Sequence, residues 1–156
     1  MRCRTKFQIF YRIFFLILAA IIATVFGYWT ADRTPPVVRI DGGILPSAVK
    51  PGDVALVKFT LKQKSSRDCP AVITREITDS HNLVYRLAEI PATYSAPNGD
   101  RENFTREVTI PRGIAFGPAK YNSCMIAICN PLQRFLDWPV HTCGPVLDFI
   151  IFNGTE

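Results

Sequence analysis

The sequence predicts an all-β antiparallel sandwich of about seven strands, preceded by one N-terminal transmembrane helix. Three observations predict it. Ile13 to Trp29 is an unbroken apolar run without a charge, the rest of the chain alternates in short segments divided by Pro, Gly, Asn and Asp, and four of five cysteines lie in that second part.

The apolar run extends backwards through Ile9, Phe10 and Tyr11, behind the single Arg12. At about 1.5 Å per residue, Ile9 to Trp29 covers roughly 31 Å, one hydrocarbon thickness. Arg12 lies within a turn of the start and snorkels to the headgroups. Tyr28 and Trp29 close the far end as an interfacial aromatic pair. Arg2, Arg4, Lys6 and Arg12 precede the run, so the positive-inside rule puts Met1 in the cytoplasm and everything beyond Trp29 outside. The expected division is a cytoplasmic basic tail over 1–12, a signal anchor over 13–29, a linker over 30–36 and a disulfide-bonded ectodomain over 37–156. Phe26 to Ala31 offer no A-x-A-like pair, which argues against signal cleavage. The alternative is a secreted soluble sandwich. The expected location is a single-pass position in a bacterial inner membrane, with the domain periplasmic or extracellular.

The net charge of +5 sits mostly in the tail. Removing its four basic residues from the 18 leaves 14 against 13 acidic ones. No basic stripe interleaved with aromatics follows Trp29, so nucleic acid is not an expected partner.

Cys3 falls on the cytoplasmic side, as a free thiol or an acylation site. Cys69, Cys124, Cys129 and Cys143 read as two disulfides of an exported domain. Sequence alone leaves three connectivities. The favoured one joins Cys129 to Cys143, because one ends a strand and the other precedes the next, and Cys69 to Cys124 by remainder. Cys124 shares parity with Ile126 and Ile128, read as the core side; Cys69 with Cys129 is the competing pairing.

Individual strands follow from alternation. Val37 to Ile40 ends at Asp41-Gly42-Gly43, and Pro51-Gly52-Asp53 turns the chain into Val54 to Gln63. There Ala55, Val57, Phe59 and Leu61 alternate with Lys58, Thr60 and Lys62, giving one buried and one wet face. Ala71 to Thr78 and Leu83 to Ile90 flank the turn Asp79-Ser80-His81-Asn82 as a hairpin. A loop at Pro97 to Asp100 precedes Phe104 to Ile110, in which Phe104, Arg106, Val108 and Ile110 share one face. Tyr121 to Cys129 and Val146 to Phe152 complete the set, with no helix expected after the anchor.

The Pro51-Gly52-Asp53 turn before a long strand, and Gly117-Pro118-x-x-Tyr121 opening the penultimate one, resemble the immunoglobulin-like sandwich superfamily of bacterial and phage surface modules. The resemblance covers about Val37 to Phe152 and implies a fold, not an activity. That superfamily's tyrosine corner has its cysteine two residues after the tyrosine, whereas Cys124 stands three after Tyr121. The partner strand Val54 to Gln63 has none, which excludes an antibody-type inter-sheet bridge. The run Cys129-Asn130-Pro131-Leu132-Gln133-Arg134 is similar to uncharacterised membrane proteins of bacteriophages.

Signals for chemistry are weak. Asp79-Ser80-His81 has the residue types of a triad, but sequence neighbours in a turn do not fold back on one another as nucleophile, base and orienter. Cys124, Cys129, His141 and Cys143 could supply zinc ligands only in a reducing compartment. Asp100 and Glu102 read as a solvated turn. Asn103-Phe104-Thr105 and Asn153-Gly154-Thr155 match the glycosylation acceptor, which matters only in a eukaryotic secretory pathway. The expectation is no catalytic residue, no cofactor and no metal: not an enzyme.

Folding alone explains the segment Asn130 to Thr142 least. It carries Arg134, Phe135, Trp138 and His141, and Trp and Arg are enriched among interface hot spots. These four are the candidate partner-binding residues; a lid over the end of the sandwich is the competing role. The expected partners are the lipid bilayer and a protein at the envelope, the alternative being a structural or virion-associated membrane protein without a discrete ligand.

Overall fold

The computed structural model describes residues 2–64, 69–94 and 101–154. The predicted loop Pro97 to Asp100 and Thr155 of the second glycosylation acceptor lie outside them. By contact the chain divides into two units. One comprises residues 1–33 with Asn130–Trp138, the other Thr34–Cys129 with Pro139–Glu156.

The first unit is built on α1 (Arg2–Ala31). Leu, Ile, Phe and Ala run without a proline, so nothing interrupts the helical hydrogen bonds. Gln8–Ala31 is a 24-residue stretch long and apolar enough to cross a membrane. At about 1.5 Å per residue it spans roughly 36 Å. The same unit holds a helix where none is expected after the anchor, α2 (Pro131–Phe135). Its start is a standard N-cap: Asn130 is extended, its side chain accepts from the Gln133 N–H, and Pro131 needs no backbone donor.

The second unit is a sandwich of two sheets, as expected. One sheet has the order β1-β3-β7, from Val37–Leu45, Val54–Gln63 and Arg101–Thr109. The other runs β2-β10-β8-β4-β5, from Ala48–Val49, Leu147–Ile151, Gly117–Ala127, Cys69–Thr78 and Val84–Arg86. Beyond β5, β6 (Ile90–Tyr94) continues along the same edge of β4, and β9 (Val140–Cys143) pairs with β8. Among the described residues this makes ten strands rather than about seven. The additions are short edge pieces: β2 has two residues and β9 four. All pairings are antiparallel except β2 with β10.

Alternation builds the core as predicted in β3, where Ala55, Val57, Phe59 and Leu61 are buried. Phe59 lies opposite Gly42 of β1, and a Cβ on Gly42 would come within 2.6 Å of its ring, so only glycine lets these strands meet. Gly52 has φ +90° between Pro51 and Asp53, and the Asp53 N–H donates to the Lys50 carbonyl, a Pro-Gly type II turn.

Parity in β8 is opposite to the expectation. Tyr121, Ser123, Met125 and Ala127 are buried, and Cys124 shares the outer face with Ile126. The favoured disulfide pairing is accordingly corrected. Cys69 joins Cys129, and Cys124 joins Cys143. The register explains both bonds: Cys124 pairs directly with Cys143, while continuing the Ala71–Ala127 alignment by two residues sets inward Cys69 against Cys129. Sequence proximity is misleading because the bridge follows the sheet, not the loop.

Candidate functional site

Of the four predicted partner-binding residues, the structure brings three together in the first unit. The end of α2 is closed by a Schellman arrangement: Asp137 is left-handed at φ 48°, and the Trp138 N–H donates back to the Gln133 carbonyl. With the Asn130 cap at its start, this short helix is fixed at both ends. It is also tied to α1. The Asn130 amide donates to the Trp29 carbonyl at 3.2 Å, and that of Gln133 to the Asp32 carbonyl at 3.1 Å. These are carbonyls at the end of α1, where the helix offers them no internal partner. Arg33 lies over the Trp138 ring, its Cζ 4.2 Å from the centroid.

Leu132 and Gln133 are buried in this arrangement, whereas Phe135 is 84% exposed, Leu136 51% and Trp138 42%. Arg134 is also exposed. The result is a step at the C-terminal end of the apolar helix, capped at both ends and presenting an apolar and aromatic surface. His141 is elsewhere, exposed on β9 opposite Ile126.

The Asp79-Ser80-His81 turn is structural. Asp79 is buried, and its carboxylate accepts from the backbone N–H groups of His81, Leu83 and Ala115 and from the Tyr85 hydroxyl. Burial alone would raise its pKa, but these donors outweigh it and leave the carboxyl below the ordinary aspartate value. Ser80 donates to the Phe116 carbonyl instead of facing a base. A depressed folded-state pKa contributes stability above the unfolded-state value, and that contribution is lost as pH falls through the folded one. Thermal melts from pH 7 to pH 2 should therefore show the wild-type protein losing stability below about pH 4. Asp79→Asn should melt lower than wild type at pH 7 and decline less steeply in acid.

Sequence reasoning passes over a third feature, a cavity of about 360 Å³ between the two sheets. Its walls include Val57, Phe59, Leu61 and Phe104 from one sheet and Ile73, Ile90 and Tyr121 from the other. Three arginines also line it: Arg39, Arg75 and Arg106. Each occupies an inward position: Arg75 alternates with buried Ile73 and Ile77, and Arg106 with buried Val108. That signal was present in the alternation of Phe104, Arg106, Val108 and Ile110. Arg39 donates to the Ser123 carbonyl and lies over Phe59, its Cζ 4.9 Å from the ring centroid. Arg106 lies over Phe104 at 5.3 Å. Arg75 donates through Nη2 to the Ala88 carbonyl at 2.8 Å. Burial raises the pKa of Tyr121, against the pull of the Arg75 and Arg39 charges and its contact with Ser123, so its hydroxyl keeps its proton.

All four described sandwich cysteines are held in disulfides, the chemistry of an oxidising, extracytoplasmic compartment. Among the described residues no three His, Cys, Asp or Glu side chains are grouped to hold a metal.

No family model matches the chain, and no curated protein does. Solved structures resemble it at low identity. The C-terminal domain of Wzt is 13% identical with a TM-score of 0.49, over 78% of this chain and 77% of that one. A CARDB domain from Pyrococcus furiosus, solved with di-metal ions, is 12% identical with a TM-score of 0.41, over 76% and 89%. The alkylpurine DNA glycosylase AlkC of Pseudomonas fluorescens, bound to DNA containing an abasic site analog, is 13% identical with a TM-score of 0.46; this chain covers 31% of its length.

Proposed function

We propose that the chain is a single-pass envelope protein that holds a disulfide-bonded sandwich outside the cytoplasm and docks a protein partner at the membrane surface. Arg2, Arg4, Lys6 and Arg12 before the apolar helix support an N-in orientation. The observation that carries the docking reading is the exposure of Phe135 on a helix whose two ends are both capped. An apolar side chain held rigidly in the open costs little to order on association, the property expected of an anchor residue in an interface. Arg134 and Trp138 are of the residue types that dominate such interfaces.

A second reading is favoured by the hydrogen bonds to Trp29 and Asp32. They hold α2 beside the C-terminal end of the apolar helix, and if that helix spans a bilayer this end would lie where aromatic side chains enter the headgroup layer. In that reading Phe135 and Leu136 rest in lipid. A photo-reactive amino acid at position 135 separates the two in cells. The docking reading expects one dominant protein adduct, and Trp138→Ala should weaken capture of that protein by at least about 2 kcal/mol with little change in melting temperature. Adducts to lipid alone would replace it with the interfacial reading.

A further inference from the structure

We propose that the cavity between the sheets binds a small organic acid, its carboxylate held among the guanidiniums of Arg39, Arg75 and Arg106 and its apolar body packed against Phe59, Phe104 and Ile73. This is independent of the docking surface on α2, because every residue involved belongs to the sandwich unit.

The argument begins with charge. Three guanidiniums face one space, and none of the described lining residues is an Asp or Glu. Partly buried cations of like sign repel one another and lose hydration, so a sandwich core gains nothing by collecting them unless something of opposite charge enters. Apolar side chains at the same inward positions would pack at least as well. For Arg75 and Arg106 the partners within the protein are neutral: the Ala88 carbonyl and the Tyr121 hydroxyl for Arg75, and the Phe104 ring for Arg106. The Nε of Arg75 is buried and has no hydrogen-bond partner. A planar fork with a donor to spare matches a carboxylate, which accepts two parallel N–H bonds.

The remaining walls set the rest of the ligand. Val57, Leu61, Ile73, Ile90 and Pro91 offer no donors from their side chains, so they suit hydrocarbon rather than a second charged group. The volume lies near the lower end of the range of about 300–1,000 Å³ for small-molecule sites, which limits the body to something compact. Access follows from topology. The lining includes β6 and β7, each at the margin of its own sheet, and Phe104, Arg106 and Arg75 are each only partly buried.

Equilibrium dialysis of full-length protein in neutral detergent micelles tests this, with radiolabelled benzoate as the probe and empty micelles as the blank. Saturable binding is expected. Benzyl alcohol, with the same ring and no charge, should bind at least about tenfold more weakly, the loss expected when a charge-assisted hydrogen bond is removed. Arg106→Gln and Arg75→Gln should each weaken benzoate by a similar factor. Should Arg75→Gln fail to fold, Arg106→Gln decides, since that side chain is partly exposed on an edge strand. Inorganic phosphate that competes as well as benzoate itself would show that the walls recognise nothing, overturning the organic-acid assignment. Equal binding of benzyl alcohol, unchanged binding in a folded Arg106→Gln variant, or no saturable binding to about 10 mM, well beyond millimolar affinity, would each overturn the proposal.

Discussion

Replacing Cys69 and Cys129 together by alanine is expected to destabilise the sandwich by about 4 kcal/mol, more than removing its other disulfide. The bond closes a loop of 60 residues, and loop-closure entropy in the unfolded chain rises with the logarithm of that length. Cys69 is also fully buried, so its loss removes packing as well. The Cys124–Cys143 bond closes 19 residues, and its double alanine variant should lose about 3 kcal/mol. Denaturant unfolding of both variants under oxidising conditions measures the difference. Cys143 is exposed, so a mild reductant should open that bond first and leave most of the stability in place. A larger loss from the Cys124 and Cys143 variant would contradict the assignment of the buried bond as the main staple.

The second large effect lies on adjacent residues of one strand. Met125→Ala should cost about 2 to 5 kcal/mol, because Met125 is 3% exposed in the core between the sheets. Ile126→Ala, one position on and facing the other way, should cost less than half as much. Ile126 removes a comparable volume of hydrocarbon, but its environment already includes water, so no closed cavity remains. Melting curves of the two variants decide which face of β8 is inward. Equal losses would mean that both faces are covered.

The same strand shows what the sequence could and could not convey. In β3 the outward partners are Lys58, Thr60 and Lys62, so contrast in polarity reveals the buried side. In β8 both parities are apolar enough to be core: Met125 and Ala127 on one, Ile126 and Ile128 on the other. Ile126 lies opposite His141 of β9 on the outer face and is only partly exposed, so polarity does not mark that side as wet. The disulfide pairing depended on that parity and was lost with it. β9 escaped notice because four residues are too few to show a period.

The loop Asn130 to Thr142 was singled out by composition, and Arg134, Phe135 and Trp138 do share one small unit. Its helix was legible in principle. Asn130-Pro131 is an N-cap followed by a favoured first residue, but five residues of helix leave no apolar repeat to confirm it. The arginine-lined cavity needed a different kind of attention. Arg106 stood in plain view among Phe104, Val108 and Ile110, and a cation on a core face is the observation that most needs explaining. Arg39 and Arg75 come from strands distant in the chain, and only the sheet topology sets them around one space.

The amides of Asn130 and Gln133 reach carbonyls 101 residues earlier in the chain. On the ribosome the apolar helix is complete long before those amides exist. During that interval the carbonyls of Trp29 and Asp32 await partners that arrive only after strands β1 to β8 have been made. The reverse holds at the other end of the protein's life. A protease that cuts between Trp29 and Asp32 to shed the domain would carry away one of the two acceptors, strip Asn130 of its tether and loosen the step that bears Phe135. Separation from the apolar helix and loosening of that surface would therefore be one event.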